Sequence, residues 1–464
     1  MPDSDSQHAR GGLLQRGFGS LIATQFLGAA NDNVLKQTLI FMIMANGLWA
    51  EKLGKGGQGV IGLCLTLPFI LLSGYAGQYA DRNSKQVVTV QVKAAEIGIA
   101  ITAGIGLWLG WFWISLVAFI ALAVQSAFFG PAKYGMIPEL VNANELSRAN
   151  GVINMFTNIA VIIGTLIAGP VCELFWPKAQ SAATAAAAAA ATDPSGAEVA
   201  ASVDRMVWLP LAVMLVIAIL GFCGSLFIPK LPAKEPTLKY NSNPFSTYYY
   251  ALREMAKGPL LPIAIAWAYF YMVGFAAILL LPEYEHLLSI SYTKASILFA
   301  VLAISIGVGS ALAGLISGKR IEPRLVPVGA VGVTVFLGLL GFVPGPLIGS
   351  ASNPHIFWVI AGLLAGAGAF AGAYLIPLQA LIQDLAPENE RGRYLGTTNA
   401  LSFVFSSLGA IIVQVSRSVL HMQAHHVFFV CGGLGLIGTV YLFIRFRKPL
   451  YAAVKQAESH YNTQ

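Results

Sequence analysis

Long apolar runs recur along almost the whole of this sequence, and they constrain its fold more than any other feature. A transmembrane helix needs about 20 consecutive, mostly apolar residues. Only 11% of the residues are charged, whereas soluble domains are about a quarter charged. The sequence therefore predicts an all-α membrane protein with twelve transmembrane helices, near 18–45, 59–79, 86–109, 111–130, 149–171, 206–228, 259–281, 294–317, 325–344, 355–377, 395–417 and 426–445.

Lysine and arginine are distributed unevenly between the connecting segments. If the N-terminus is inside, two basic residues lie within spans (Lys36 and Lys93), six lie outside, and all the others are cytoplasmic. The six outside are Lys52, Lys55, Lys178, Arg205, Lys294 and Arg417. The positive-inside rule then predicts a multi-pass protein with both termini in the cytoplasm. This distribution also accounts for the net charge of +7 without a nucleic-acid partner.

The order of the spans predicts two bundles joined by a linker. We expect a cytoplasmic tail at 1–17, a six-helix bundle at 18–228, a cytoplasmic linker at 229–258, a second six-helix bundle at 259–445 and a cytoplasmic tail at 446–464. The first bundle contains a low-complexity outer loop, 177–204, with the alanine tract Ala185–Ala191. In the linker, Tyr248–Arg253 is predicted to form an interfacial helix.

An internal repeat supports the division into two halves. The segment NELSRANGVIN, 144–154, shares five of eleven positions with NERGRYLGTTN, 389–399, and the alignment pairs Arg148 with Arg393. The same offset pairs Glu139 with Asp384. Parallel halves with a substrate site between them near the membrane midplane are a known transporter plan.

Four ionisable residues lie inside predicted spans, where a charge is costly unless it faces water or a partner. Asp32 and Lys36 lie four residues apart in the first span, and Lys93 and Glu96 lie three apart in the third. Both spacings allow pairing on one helix face. Asp32 and Lys36 belong to a polar patch with Asn31, Asn33 and Gln37, which favours a cavity wall over a static bridge. The Lys93–Glu96 pair lies nearer the cytoplasmic end, where a bridge between helices or a snorkelling lysine is favoured over a coupling role.

Two further segments are candidates for gates. Asp81 and Arg82 end the second span, and Asp81 is predicted to accept hydrogen bonds from a helix N-terminus; a plain turn is the alternative. Gly130 and Pro131 are expected to end the fourth span. Lys133 would then be available to an anionic headgroup or a gate carboxylate, although an ordinary positive-inside lysine is equally compatible with the sequence.

The sequence contains no recognisable cofactor or metal motif. Its four cysteines are far apart and are interpreted as small apolar residues. His421, His425 and His426 cluster without a carboxylate or thiolate, which favours a polar external turn over a metal site. There is neither a GxxxxGK[ST] loop nor an HxxxxD acyltransferase motif. We therefore expect no cofactor and no enzymatic activity.

Several motifs carry a family resemblance. QFLGAANDN at 25–33, PAKYG at 131–135, Glu139–Leu140 and Ala149–Gly151 match the pattern of bacterial lysophospholipid transporters, and Ile228–Leu231 and Ile376–Gln383 extend the match to both halves. The chain resembles this family of the major facilitator superfamily. The resemblance implies the major facilitator fold, with two pseudo-symmetric six-helix halves.

The resemblance also implies a function and a location. Members of the family move lysophospholipids from the outer to the inner leaflet of the bacterial inner membrane, where these lipids are re-acylated. This implies lysophospholipid and membrane lipids as partners and a functional link to an acyltransferase or acyl-carrier-protein ligase. It also maps Asp32 and Lys133 onto the polar cavity. Family members carry a basic residue in span seven, whereas Trp267–Leu281 contains none.

The candidate residues form three groups. The cavity candidates are Gln25, Asn31, Asp32, Asn33, Lys36 and Lys133. The gating candidates are Asp81, Arg82, Tyr134, Glu139, Arg148, Asp384 and Arg393. The possible coupling or bridging pair is Lys93 and Glu96.

Two other functions are compatible with the sequence. The first is proton-coupled transport of a small amphipathic solute or drug, with Asp32 or Glu96 as the titrating group. The second is a non-transporting membrane scaffold or sensor. The intramembrane charges and the duplicated gate segments argue against the scaffold.

Overall fold

The regular elements of the described chain are helices. The computed structural model describes residues 16–44, 47–50, 52–142, 146–176, 205–238, 240, 243, 245–317, 322–343, 355–387, 391–446 and 450–452. We number its α-helices α1 Arg16–Ile43, α2 Gly57–Arg82, α3 Lys85–Trp108, α4 Phe112–Leu140, α5 Leu146–Phe175, α6 Leu209–Leu226, α7 Ser246–Met255, α8 Leu260–Leu280, α9 Tyr284–Leu287, α10 Tyr292–Ser317, α11 Leu325–Leu340, α12 Ile356–Leu385, α13 Arg391–Ser418 and α14 Val427–Tyr441. A 3-10 turn, Leu281–Glu283, follows α8, and a π-helical turn, Leu442–Phe446, follows α14.

The twelve predicted spans correspond to α1 to α6, α8 and α10 to α14. Within the described ranges, ten helices are long and apolar enough to cross a membrane, and α11 is a shorter apolar helix. Helix α1 has 28 residues, which gives a length of about 42 Å, more than the roughly 30 Å hydrocarbon core of a bilayer. The polar patch lowers the mean hydropathy of α1, but the helix is still long enough to cross the membrane.

Two helices extend further than the sequence predicted. The expectation that Gly130 and Pro131 end the fourth span is wrong, because α4 continues through Pro131 and Pro138 to Leu140. A proline inside a helix costs about 3 kcal/mol. Here the last turns of α4 bury Met136, Ile137 and Leu140 in an apolar cluster, and this burial offsets the cost. In the same way α12 continues through Pro377.

The first compact unit comprises Met1–Gly54, Leu72–Asn241 and Ile290–Ser296. In it α1 packs against α4, α5 and α6, and α3 packs against α4 and α6. One apolar cluster of this unit joins Phe18 and Leu21 of α1 to the last turns of α4 and to Ile228 after α6. The unit thereby surrounds the polar patch of α1 with helices on several sides.

The second compact unit comprises Lys55–Leu71, Ser242–Ser289 and Ile297–Gln464. In it α8 packs against α12 and α13, and α11 packs against α12 and α14. Its apolar cluster includes Trp267, Tyr374 and Phe446. The first part of α2, up to Leu71, groups with this unit, so the predicted domain boundaries at 228 and 259 stay a prediction.

The linker contains the helix that the sequence indicated. Helix α7 includes Tyr248–Arg253, buries Ala251 and Met255, and exposes Tyr249 and Tyr250. The alanine-rich outer loop, residues 1–15 of the N-terminal tail and residues 453–464 of the C-terminal tail lie outside the described residues.

Candidate functional site

Glu96 is the centre of a hydrogen-bonded network that joins α1, α3 and α4. Its Oε1 accepts a hydrogen bond from Asn31 Nδ2 at 2.9 Å. Its Oε2 accepts one from Lys93 Nζ at 2.6 Å and one from Gln125 Nε2 at 3.3 Å. The pair Lys93–Glu96 is a buried salt bridge, each side chain being 1% exposed. Lys93 therefore does not snorkel, and that alternative was wrong.

A glycine on α1 makes room for this pair. A Cβ atom built at Gly28 would overlap Lys93 Nζ and approach Glu96 Oε2. The ammonium thus lies directly against the backbone of α1, and Phe129 of α4 covers it with its ring centroid 5.0 Å away. Any side chain at position 28 would have to displace the lysine.

Asp32 continues the network on the neighbouring face of α1. Ser126 Oγ lies 2.8 Å from Asp32 Oδ2 and 3.1 Å from Gln125 Oε1, so its hydroxyl can donate to either. Among the residues that the structure describes, Asp32 Oδ1 is buried without a hydrogen-bond partner. An acceptor oxygen in such a position is costly unless another group reaches it. Asn31 Oδ1 is likewise buried without a partner among the described residues, so Asp32 is the charged member of the network that can accept a further donor.

The predicted Asp32–Lys36 pair does not form. Lys36 Nζ instead donates to Asn33 Oδ1 at 2.6 Å, and Asn33 Nδ2 donates to the carbonyl oxygen of Ala29. Asp32 and Lys36 are both partly exposed, whereas Asn31 is buried. The two charged residues therefore do not form a bridge with each other, and each has its own hydrogen-bond partner.

Lys133 belongs to α4 rather than to a loop. It is 8% exposed, and the charges that act on it are those of Lys93 and Asp32. Its Nζ lies 4.4 Å from the ring centroid of Tyr134, whose hydroxyl donates to Asn154 Oδ1 at 3.3 Å. This arrangement places a third intramembrane cation near the network.

The remaining cavity candidate, Gln25, links two helices. Its Nε2 donates to Thr157 Oγ1 of α5 at 3.0 Å. Sequence reasoning missed Thr157 and also Gln125 and Ser126 of α4. The adjacent polar pair Gln125–Ser126 within an apolar span was a signal that could have identified the last two.

The gating candidates of the first unit have varied environments. Lys85, which sequence reasoning missed, forms a salt bridge with Glu139. The Arg82 guanidinium lies 4.8 Å from the ring centroid of Tyr240. Asp81 accepts the N–H of Glu235 through its backbone carbonyl at 2.9 Å, and its carboxylate has no partner among the described residues. Arg148 is exposed.

In the second unit the two gating candidates lie on α12 and α13. Asp384 Oδ2 is buried without a hydrogen-bond partner in the described chain. The Arg393 guanidinium lies 5.7 Å from the ring centroid of Tyr394.

A second ionic cluster in this unit was not predicted from the sequence. Glu283, in the turn after α8, accepts two hydrogen bonds at 2.8 Å from Arg417 at the end of α13. Gln58 of α2 donates to the same carboxylate at 2.6 Å. Nearby, burial lowers the pKa of His425 to about 4, with further contributions from the charges of His426 and Arg417. The predicted external histidine turn thus includes one buried, neutral imidazole.

Comparison with protein families identifies the fold class. The family model of the Major Facilitator Superfamily matches residues 24–410 and 334–460. The chain belongs to this superfamily. It is therefore an all-α, multi-pass membrane transporter rather than an enzyme, as the sequence predicted.

Several curated relatives of this major facilitator share one description. "Lysophospholipid transporter LplT" of Cronobacter sakazakii is 27% identical over 413 residues, which are 87% of each chain. The protein of the same name from Photorhabdus laumondii is 25% identical over 380 residues, 80% of this chain and 81% of the relative. The resemblance found in the sequence motifs is confirmed by these matches.

Solved structures agree on the fold. A bacterial homologue of the human lysosomal transporter Spinster has a TM-score of 0.62 at 14% identity, covering 96% of this chain and 99% of the other. A D-xylose-proton symporter has a TM-score of 0.62 at 16% identity, with 92% and 97% coverage. These likenesses establish that this major facilitator has the transporter fold.

Proposed function

We propose that this protein is a secondary transporter that moves lysophospholipids from the outer to the inner leaflet of a bacterial inner membrane by alternating access. The observation that carries the proposal is the Glu96–Asp32 network. It provides buried and partly buried charges within the transmembrane helices, and one carboxylate oxygen of Asp32 has no hydrogen-bond partner in the described part of the chain. The names and coverage of the curated relatives support lysophospholipid as the substrate.

A lysophospholipid needs a path that is polar for its headgroup and apolar for its single acyl chain. Asp32 offers an acceptor to the ammonium of an ethanolamine headgroup, and Lys133 offers a cation to the phosphate. Neither charge is tied to a direct ion-pair partner in the described structure. A substrate that supplies both a cation and an anion would satisfy both residues, which offsets the cost of keeping them at this depth.

The same network supports a second candidate, proton-coupled transport of a small amphipathic solute. Asp32 and Glu96 are two carboxylates of one network, joined through Ser126 and Gln125. Carboxylates within transmembrane helices mark proton relays in pumps and transporters. In this second proposal one of the two carboxylates carries the coupled proton.

Transport in proteoliposomes distinguishes these proposals. We expect purified protein to move labelled lysophosphatidylethanolamine between leaflets, and Asp32→Asn to reduce the rate at least about tenfold. The matched control is Ser20→Ala, which removes a partly exposed hydroxyl of α1 that donates to the carbonyl oxygen of Arg16 in the same helix. A wild-type protein that moves a drug-like solute under a pH gradient, but no lysophospholipid, would refute the lipid proposal.

The charge distribution supports the proposed orientation, with both termini cytoplasmic. Delivery of lysophospholipid to the inner leaflet also implies a functional link to an acyltransferase or acyl-carrier-protein ligase that re-acylates it. Cysteine accessibility from each side of the membrane tests the orientation. Loss of lysophospholipid re-acylation in cells that lack the transporter tests the link.

A further inference from the structure

An apolar groove lies on the first unit between α5 and α6. It has a volume of about 450 Å³, within the range of roughly 300–1,000 Å³ typical of ligand sites. None of its lining residues belongs to the charged network. They are Ile163, Leu166, Ile167, Pro170, Val171, Leu174 and Leu209.

The groove has the length of an acyl chain within one leaflet. Its α5 residues repeat at intervals of three and four, which places them on one helix face. From Ile163 to Leu174 the helix rises about 16 Å, close to half of the roughly 30 Å hydrocarbon core. The groove thus matches the apolar half-thickness that an outer-leaflet chain occupies.

In the proposed orientation, the outer end of the groove carries a cation that contacts an aromatic ring. The Arg205 guanidinium lies 4.1 Å from the ring centroid of Trp176. The backbone N–H of Met206 donates to the carbonyl oxygen of Leu174 at 3.1 Å, which fixes Arg205 next to the last lining residue of α5. Trp208 is half-exposed beside Leu209, and tryptophans concentrate at the membrane–water interface. Arg205 is therefore at headgroup level.

The inner end of the groove lies at the depth of the charged network. Gly164, next to Ile163, packs so closely on Ala30 that a Cβ would overlap the Ala30 carbonyl oxygen. Ala30 directly precedes Asn31 and Asp32 on α1. A chain that fills the groove would therefore extend from the interface to the level at which Asp32 lies.

We propose that this groove captures an outer-leaflet lysophospholipid before transport, with its acyl chain along α5 and its phosphate on Arg205. The identity of the ligand rests on the proposed function. A guanidinium binds phosphate oxygens in a bidentate manner, and one groove accommodates the one chain of a monoacyl lipid. The site would increase the local concentration of the lysophospholipid beside α1, the helix that carries Asp32. It would also orient the headgroup of the lipid toward the outer surface.

Site-specific photocrosslinking tests this capture site. A p-benzoylphenylalanine is introduced at position 167 inside the groove, or at position 216 as the matched control. Val216 is 56% exposed on α6 and does not line the groove. Proteoliposomes then receive radiolabelled lysophosphatidylethanolamine at their outer surface. We expect crosslinking at 167, but not at 216, to be competed by unlabelled lysophosphatidylethanolamine and not by diacyl phosphatidylethanolamine.

Arg205 variants add a readout of headgroup binding. We expect Arg205→Ala to weaken competition at position 167 about tenfold, equivalent to about 1.4 kcal/mol, and Arg205→Lys to retain most of it. Three results would each overturn the capture site. Unlabelled lysophosphatidylethanolamine could reduce crosslinking equally at positions 167 and 216, or the diacyl lipid could reduce crosslinking at 167. The third result is competition at 167 that Arg205→Ala leaves unchanged. If the wild type transports lysophospholipid but unlabelled lysophosphatidylethanolamine does not reduce crosslinking at 167, the capture site is refuted and the proposed function stands. Competed crosslinking without any transport supports the site and refutes the proposed function.

Discussion

Removing the ammonium of Lys93 should destabilise the protein strongly, because it leaves Glu96 charged and buried. Lys93→Met keeps a similar length and apolar body, so the change isolates the charge. Breaking a buried ion pair by removing one partner costs about 3–5 kcal/mol. The remaining partners, Asn31 and Gln125, donate neutral hydrogen bonds only, which do not replace the lost cation.

Thermal unfolding in detergent can measure this cost directly. Cys172 and Cys431 are buried free thiols, so a thiol-reactive fluorophore reports their exposure on unfolding; Cys64 and Cys223 are first replaced by serine to lower the background. For a unit of about 200 residues, 1 kcal/mol shifts Tm by roughly 2 °C. Lys93→Met should therefore lower Tm by at least about 6 °C, and an unchanged Tm would refute the energetic role of the pair.

The double variant Lys93→Met with Glu96→Gln separates stability from transport. The glutamine carbonyl can still accept the hydrogen bond of Asn31, and no uncompensated charge remains. We expect Tm to return to within about 2 °C of the wild type, since the net hydrogen-bond energy at stake is roughly 1 kcal/mol. If the charges contribute to transport, this stable variant should still lose lysophospholipid movement. Full activity would show that the pair serves only to join α3 to α1.

Three further predictions test other parts of the structure. Gly28→Ala should lower both Tm and transport, because its methyl group overlaps the adjacent ammonium, whereas Gly19→Ala, with open space around it, should change neither. Arg417→Met should destabilise the protein by roughly 2–4 kcal/mol, since Glu283 then keeps only the neutral donor Gln58 among the described residues. Arg417→Lys should restore part of the lost stability in the same thermal assay. His425 has a folded pKa of about 4 against an ordinary 6.5, so below pH 6.5 the unfolded chain binds a proton that the folded chain does not, and stability should fall as the pH drops from 6.5 to 4. His425→Asn should reduce that slope, and an unchanged slope would contradict a buried, neutral His425.

The helices were predictable because hydropathy over about 20 residues depends little on local detail. The ends of α4 and α12 were not, since Pro131 and Pro377 are strong local signals for termination. Both helices continue because their next turns bury apolar side chains against neighbouring helices. That packing depends on the tertiary structure, and it cannot be predicted from a single sequence.

The candidate site was predictable as a set of residues but not as a set of bonds. Ionisable residues within apolar spans are easy to recognise in a sequence, and these are Asp32, Lys36, Lys93 and Glu96. Helical spacing suggested the pairing of Asp32 with Lys36, yet tertiary neighbours determine the actual partners. Ser126 reaches Asp32 across the interface of α1 and α4, and Lys36 turns back to Asn33 on its own helix. Periodicity identifies a shared face, whereas the competing donors on other helices decide which bond forms.

The Glu96 network is more highly charged than a structural link between three helices requires. Asn31 and Gln125 could join α1 and α4 to a neutral residue of α3 by hydrogen bonds alone, and such bonds within membranes contribute about 0.6 kcal/mol on average. A buried ion pair adds a desolvation cost that well-packed apolar residues avoid. The pair also needs Gly28 on α1, a residue that weakens a helix by about 1 kcal/mol relative to alanine. The protein thus carries two energetic costs at one point of the structure, next to Asp32. Stability alone explains neither cost, whereas a role for these charges in binding or moving the substrate explains both.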